Sequence, residues 1–137
     1  MEDRYLYKAK DCNSIWRAGL LIALRQDRCA IEEKDESKWA CDAKTICQCT
    51  GLKDKNGKLI WENDILHNGN YFVVKWNAPC ARFDIVLNNS NNIPIGKWEP
   101  LICDWKTNDF KKYRKVVDYE VIGNIFDNPE LLGRNDE

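Results

Sequence analysis

The sequence predicts a mainly β protein, a small SH3-like or barrel-like domain of short antiparallel strands. Two observations favour this class: short apolar runs are separated by polar turns, and many of the runs alternate apolar with polar residues, as strands do. A chain of 137 residues is long enough to bury a core without disulfides. We expect an N-terminal β-hairpin region at residues 1–45, packed on a main β domain at residues 46–137 that ends in a short helical turn.

The first third of the chain predicts the hairpin. Residues 4–10 alternate apolar with polar side chains, and the mostly apolar residues 16–24 return antiparallel to them. A third short strand is expected at residues 29–31. The charged residues 32–38 are expected to form a solvated loop, because their charges oppose no apolar face.

The middle of the chain carries two tight-turn signals. Residues 56–57 are Asn-Gly between apolar runs, which is the strongest short-range hairpin signal. Residues 68–70, Asn-Gly-Asn, offer a second turn, and residues 71–76 alternate after it. The alternation resumes at residues 82–87, beyond Pro79, so these segments predict three or more antiparallel strands.

The last third predicts fewer strands and two short helical segments. Residues 88–94 are rich in Asn and are expected to form a loop, followed by a strand within residues 98–105. One or two helical turns are expected within residues 107–115. The last strand is expected at residues 119–126, and residues 127–132 have the cap, first-turn proline and following glycine of a terminal helical turn.

Charge and composition exclude several classes of protein. The chain has 21 Lys and Arg against 22 Asp and Glu, a formal net charge of −1, which argues against a generic nucleic-acid binder held by excess positive charge. The apolar residues 19–24 are too short to span a bilayer. No cationic and then apolar stretch follows Met1, so we expect no signal peptide and a cytoplasmic location.

Cysteine and histidine do not suggest a catalytic or metal site. Cys29, Cys41, Cys47 and Cys49 are close in sequence but contain no C-x-x-C knuckle, so buried reduced thiols are favoured over zinc ligands or a redox sensor. The single imidazole, His67, is expected to be a solvated turn residue rather than the base of a nucleophilic cysteine. We therefore expect no enzymatic activity, no metal and no cofactor.

The six tryptophans are spread along the chain. Four lie in or beside predicted strands and are expected to anchor the core: Trp61, Trp76, Trp98 and Trp105. Trp16 and Trp39 are less constrained. Either becomes an interface candidate if it is exposed beside a basic residue such as Arg17 or Lys38.

Two basic stretches are the candidate binding residues. The first lies on the Asn-Gly turn and consists of Lys53, Lys55 and Lys58, although hairpin geometry also explains this turn, with Asp54 bonding its backbone amides. The second is a basic-aromatic loop at residues 106–115, where cations and rings alternate as in single-stranded nucleic-acid sites. Its candidate residues are Lys106, Phe110, Lys111, Lys112, Tyr113, Arg114 and Lys115.

Two longer blocks of sequence resemble a known family. The first block, residues 50–65, reads T-G-L-K-D-K-N-G-K, then Ile60, then E-N-D-I; the second block, residues 120–132, reads E-V-I-G-N-I-F-D-N-P-E-L-L. Both resemble the YopX-like family of phage and prophage proteins, over about residues 46–132. Asn63 stands where that family commonly has Gly. This departure is tolerable if the turn needs a positive φ, because Asn adopts that conformation at modest cost.

The resemblance implies a small β-rich protein of a bacteriophage or integrated element that acts in the bacterial cytoplasm, with no catalytic residues. The leading hypothesis is therefore a non-enzymatic binding module that acts on a host or phage macromolecule, most readily a protein. The alternative is a nucleic-acid-binding module that uses the hairpin at residues 53–58 and the loop at residues 106–115. No membrane association is expected, and a strand edge near Pro100 could support a homo-oligomer.

Overall fold

A computed structural model describes residues 5–87, 93–96, 101–104, 109–112, 114–115 and 119–134. These residues are mainly β, as predicted, and include no α-helix. The chain forms two compact units, Met1–Gly51 and Leu52–Glu137. The division expected from the sequence, between residues 45 and 46, lies a few residues before this one.

Unit 1 is an antiparallel meander that receives one further strand. Its elements are β1 (Tyr7–Lys10), β2 (Trp16–Leu24), β3 (Arg28–Glu32), β4 (Lys38–Asp42), a 3-10 turn (Ala43–Thr45) and the start of β5 (Cys47–Lys53). The strand order is β4-β3-β2-β1-β5. The predicted hairpin is thus present as β1 and β2, with Tyr7 opposite Gly19 and Lys10 opposite Trp16.

Strand β4 includes the end of the run that was expected to be a charged loop. Only residues 33–37 form the turn, and Lys38 already pairs with Glu32 across the ladder to β3. The next pair places Trp39 opposite the buried Ile31, so β4 is stabilised by cross-strand contacts that the charged run before it does not indicate.

The core of unit 1 is small and depends on a close approach between two strands. Ala9, Cys29, Ile31 and Cys41 are buried in it. A Cβ atom on Gly19 would overlap the backbone carbonyl of Glu32, so glycine is required where β2 meets the end of β3.

Unit 2 contains the remaining strands. They are β6 (Leu59–Trp61), β7 (Asp64–Asn68), β8 (Asn70–Asn77), β9 (Arg82–Val86), β10 (Ile93–Gly96), β11 (Leu101–Asp104), β12 (Asp109–Lys112), β13 (Arg114–Lys115) and β14 (Glu120–Asn124). The order in its main sheet is β13-β10-β9-β8-β7-β14, antiparallel except for the β10–β13 pair. Strand β6 pairs with β5, and β11 pairs with β12. A 3-10 segment, Pro129–Arg134, forms the predicted helical turn.

The described sheets are open, which corrects the barrel-like part of the prediction. Closure requires the edge strands of a sheet to pair with each other. In unit 1 only an isolated bridge, between Asp11 and Cys41, links the two ends of the meander. In the main sheet of unit 2, β13 and β14 are the edges among the described strands. Pro100, the predicted pairing edge, lies outside the described residues.

Two further predictions for the last third are wrong. Residues 93–94, the end of the loop expected at residues 88–94, belong to β10, while residues 88–92 lie outside the described residues. Residues 109–112 and 114–115 are strands rather than a helical or loop segment. A short helix gains little by itself, whereas these residues gain ladder partners: β12 pairs with β11, and β13 with β10.

The core of unit 2 is larger than that of unit 1, but it does not include the predicted tryptophan anchor of β8. It consists of Ile60, Leu66, Phe72, Val74, Ile85, Ile95, Tyr119 and Val121. Trp76 is 42% exposed and packs edge-on against Phe83, so its expected core role is wrong. Trp61 is half-buried, and Trp98 and Trp105 lie outside the described residues.

The close approach at Gly19 gives a test of unit 1. Replacing Gly19 by Ala places a methyl group against a backbone oxygen that cannot move without distorting β3, and should lower the free energy of unfolding by about 2 kcal/mol in urea denaturation. The matched control is Gly133→Ala, whose added Cβ meets no atom within 4 Å. Equal stability of both variants would contradict the packing described for β2 and β3.

Candidate functional site

The three predicted lysines of the first block lie together on one turn. Lys53, Lys55 and Lys58 are all exposed around the β5–β6 hairpin. Lys55 Nζ lies 3.8 Å from Glu120 Oε1, and the Lys55 amide donates to the carbonyl of Tyr119 at 2.9 Å. The turn is therefore anchored to the start of β14, while its cationic side chains face solvent.

The carboxylate of Asp54 lies beneath these lysines and holds the turn. Asp54 is 4% exposed, and its Oδ1 accepts from the amides of Asn56 at 2.8 Å and Lys58 at 2.9 Å. Its Oδ2 accepts from the amide of Val121 in β14 at 2.8 Å. Burial by itself would raise the pKa of Asp54, but the bonds from these three amides, with the charge of Lys58, outweigh it and lower the pKa.

The residues at the end of the first block also fix the backbone conformation. Asn63 has a φ of 73°, the conformation that makes Asn tolerable at this position, and its amide donates to the carbonyl of Val74 at 2.8 Å. The adjacent Asp64 is buried, and its Oδ2 accepts from the amide of Trp61 at 2.8 Å. Asn63 and Asp64 therefore fix the turn between β6 and β7.

The second block is stabilised in the same way. A Cβ on Gly123 would overlap the side chain of Asn128, so the glycine makes room for that amide. Asn128 Oδ1 accepts from the amide of Asn124, whose own side-chain oxygen accepts from the amides of Phe126 and Asp127, both at 2.9 Å. Both blocks therefore chiefly specify the backbone of unit 2.

The second predicted basic stretch is not a single loop. Phe110, Lys111 and Lys112 lie in β12, and Arg114 lies in β13 together with Lys115. These strands pair with different partners, β11 and β10. Lys106 and Tyr113 lie outside the described residues.

The cysteines are placed much as the sequence indicates, whereas His67, expected to be a solvated turn residue, lies half-buried in β7 opposite Tyr71 and Glu120. Four cysteines are buried: Cys29, Cys41, Cys47 and Cys49. Burial raises the pKa of the Cys29 thiol and raises that of Cys41 to about 11, which disfavours the reactive thiolate. The His67 ring lies 4.7 Å from that of Tyr71. Among the described residues, no three side chains of the metal-binding types come together as a candidate metal site.

An apolar surface on β2 was not predicted as a site. Leu20 is 47% and Ile22 44% exposed, although β2 lies between β1 and β3 in the sheet. The register shifts between Leu21 and Ala23, and this bulge contains Ile22. We name Ala18, Leu20 and Ile22 the β2 surface. The signal was present in the sequence, because a strand that is apolar at nearly every position suggests that both faces are covered.

A cavity of about 540 Å³ adjoins the β2 surface. Its lining residues are Leu6, Ala18, Gly19, Leu20, Glu32, Glu33, Lys34 and Glu36. Aliphatic residues and three glutamates thus line the same depression. It can accept an apolar group while presenting negative charge at its rim.

Arg17 orders the rim of this cavity. Its guanidinium lies 3.4 Å from the centre of the Trp39 ring, and its Nε lies 2.9 Å from Asp11 Oδ2. Its Nη1 lies 3.7 Å from Glu33 Oε1, which fixes a rim carboxylate against the sheet. Trp39 is therefore held by Arg17, and Trp16 lies under the amines of Lys8 and Lys10.

The fold and this surface define a mainly β protein of two compact units with an exposed apolar strand face on unit 1. The family model described as YopX protein matches residues 4–133, nearly the whole chain, so the protein belongs to the YopX family and the predicted resemblance is confirmed. No curated protein matches the chain. In the part of the chain that the structure describes, no helix is both long and apolar enough to cross a bilayer.

The role of Asp54 can be tested by Asp54→Asn. In the variant, an NH2 group replaces one accepting oxygen and faces either the amide of Val121 or the amides of the turn. Because two donors then face each other, the free energy of unfolding should fall by about 2 kcal/mol at pH 7. Glu130→Gln, on an exposed side chain of the terminal 3-10 segment, is the matched control and should be neutral.

The difference in unfolding free energy between wild type and Asp54→Asn should depend on pH. The folded-state pKa of Asp54 is lowered, so its ionised form stabilises the fold fully above the unfolded pKa, about 4. This stabilisation is lost as the pH falls through the folded-state pKa. The stability difference between wild type and Asp54→Asn should therefore shrink between pH 6 and pH 2. A difference that stays constant would show that the charge of Asp54 does not contribute.

Proposed function

We propose that this protein is a non-enzymatic binding module of a phage or prophage that acts in the bacterial cytoplasm on a host or phage protein. The observation that carries the proposal is the exposure of Leu20 and Ile22 on an internal strand. Exposed contiguous apolar surface on a folded protein marks interaction sites more often than isolated apolar residues do. We place the contact on the β2 surface.

The residues that line the cavity beside the β2 surface favour a protein over a nucleic acid. Three glutamates, Glu32, Glu33 and Glu36, line the adjoining cavity together with Lys34. Phosphate groups would be repelled there, whereas apolar side chains of a protein would be accepted.

The placement of the polar groups supports the non-enzymatic part of the proposal. The buried carboxylates of Asp54 and Asp64 accept bonds from backbone amides. Asp84, also buried, accepts from Arg82 Nε and Asn77 Nδ2, each at 2.8 Å. Groups committed in this way stabilise the fold rather than face a substrate.

A second candidate, nucleic-acid binding, is favoured by one observation. Lys53, Lys55 and Lys58 are exposed on one turn, which gives unit 2 a local positive tip despite the balanced total charge. Part of this charge is offset by the contact of Lys55 with Glu120.

The leading proposal predicts that one double substitution removes the partner. Leu20→Asp with Ile22→Asp should lower capture of the bound protein from bacterial extract by at least about tenfold, because charged groups replace the apolar contact. The matched control is Ile15→Asp, since Ile15 is 50% exposed in the β1–β2 turn, outside the β2 surface. Equal capture by wild type and the double variant, with circular dichroism showing both folded, would contradict the proposal.

The second candidate is tested with labelled single-stranded and duplex DNA at low and high salt. If the lysine turn binds phosphates, affinity should fall steeply with salt, and the variant Lys53→Gln, Lys55→Gln, Lys58→Gln should weaken binding at least about tenfold. An absence of binding at low salt would eliminate this candidate.

A further inference from the structure

The cavity beside the β2 surface combines apolar walls with a charged rim. Leu6, Ala18 and Leu20 provide the aliphatic part of its lining. Its volume of about 540 Å³ is large enough to receive one or two side chains of a partner. An apolar depression of this kind favours a large aliphatic or aromatic residue at the centre of the contact.

The rim of the cavity is mostly acidic. It is formed by the end of β3 and the turn to β4, residues 32–38, which contain four acidic residues and two lysines. Glu33 is held by Arg17, and the carboxylate of Glu32 lies 3.8 Å from the largely exposed Lys38 amine. Such an exposed pair contributes little stability and can exchange for a partner's cation.

Among the three glutamates that line the cavity, Glu36 is the most exposed to solvent. It is exposed at the tip of the β3–β4 turn with a φ of 72°, and its amide donates to the carbonyl of Glu33 at 2.8 Å. The turn is further ordered by Asp35, whose Oδ1 accepts from the amide and hydroxyl of Ser37. Negative charge is therefore held next to the apolar cavity by an ordered turn.

We infer that the partner contacts this surface with a short segment that combines apolar side chains with lysine or arginine. This inference rests on the proposed function and specifies its partner. An apolar side chain of the segment enters the cavity against Leu6 and Leu20, and a flanking cation pairs with the carboxylates of Glu32 and Glu36. A segment with acidic flanks or phosphate groups is rejected by the same rim.

The test uses a display library of random twelve-residue peptides selected on the full-length protein. The enriched peptides should be rich in apolar residues and carry a net positive charge. A fluorescently labelled synthetic version of an enriched peptide should not bind the variant Leu20→Asp, Ile22→Asp. The substitution Glu36→Lys should lower the affinity for the labelled peptide by roughly fivefold, as expected for the loss of one exposed ion pair. The matched control is Glu130→Lys, on an exposed residue of unit 2, which should leave binding unchanged.

A charge-swapped peptide separates the charge effect from any structural effect of the substitution. A peptide with glutamate in place of each lysine should bind wild type more weakly than the original peptide does. The same glutamate peptide should bind Glu36→Lys more tightly than the original peptide does. Enrichment of uncharged or acidic peptides that still need Leu20 and Ile22 would overturn the inference and leave the proposed function standing. Peptides that bind equally well to the Leu20→Asp, Ile22→Asp variant would overturn both.

Discussion

The buried carboxylate of Asp54 is the interaction on which unit 2 depends. One oxygen closes the β5–β6 turn through the amides of Asn56 and Lys58, and the other holds the amide of Val121, 67 positions along the chain. A local turn and a distant strand are thus fixed by a single side chain. Without that carboxylate, three backbone donors would lose their acceptor in a site where water has little access.

Short polar side chains repeat this role through the two sequence blocks. Asp64 fixes the turn before β7, and Asn124 and Asn128 order the turn after β14 beside Gly123. The blocks that identify the family therefore mainly encode backbone geometry. We propose that binding takes place elsewhere, on the apolar β2 surface and its acidic rim in unit 1.

Local signals predicted much of the fold, and long-range pairing decided the rest. The β1–β2 hairpin, the turn at residues 56–57 and the terminal 3-10 segment follow from patterns that act over a few residues. Strand β4 was missed because it begins at the end of the charged run at residues 32–38. Strands β12 and β13 were missed because they are short and mostly charged, and only their ladder partners select the strand. The lysines were singled out by charge, whereas the β2 surface required knowing which face of an apolar strand stays exposed.

The central claim is that the family-defining blocks fold the chain while the β2 surface binds the partner. Hydrogen–deuterium exchange of the protein with and without its bound partner tests this most directly, because it reports both regions in one measurement. We predict slower exchange on binding at residues 16–24 and 32–36, with residues 53–58 unchanged. Slower exchange confined to residues 53–58 would contradict the account and place the interface on the lysine turn.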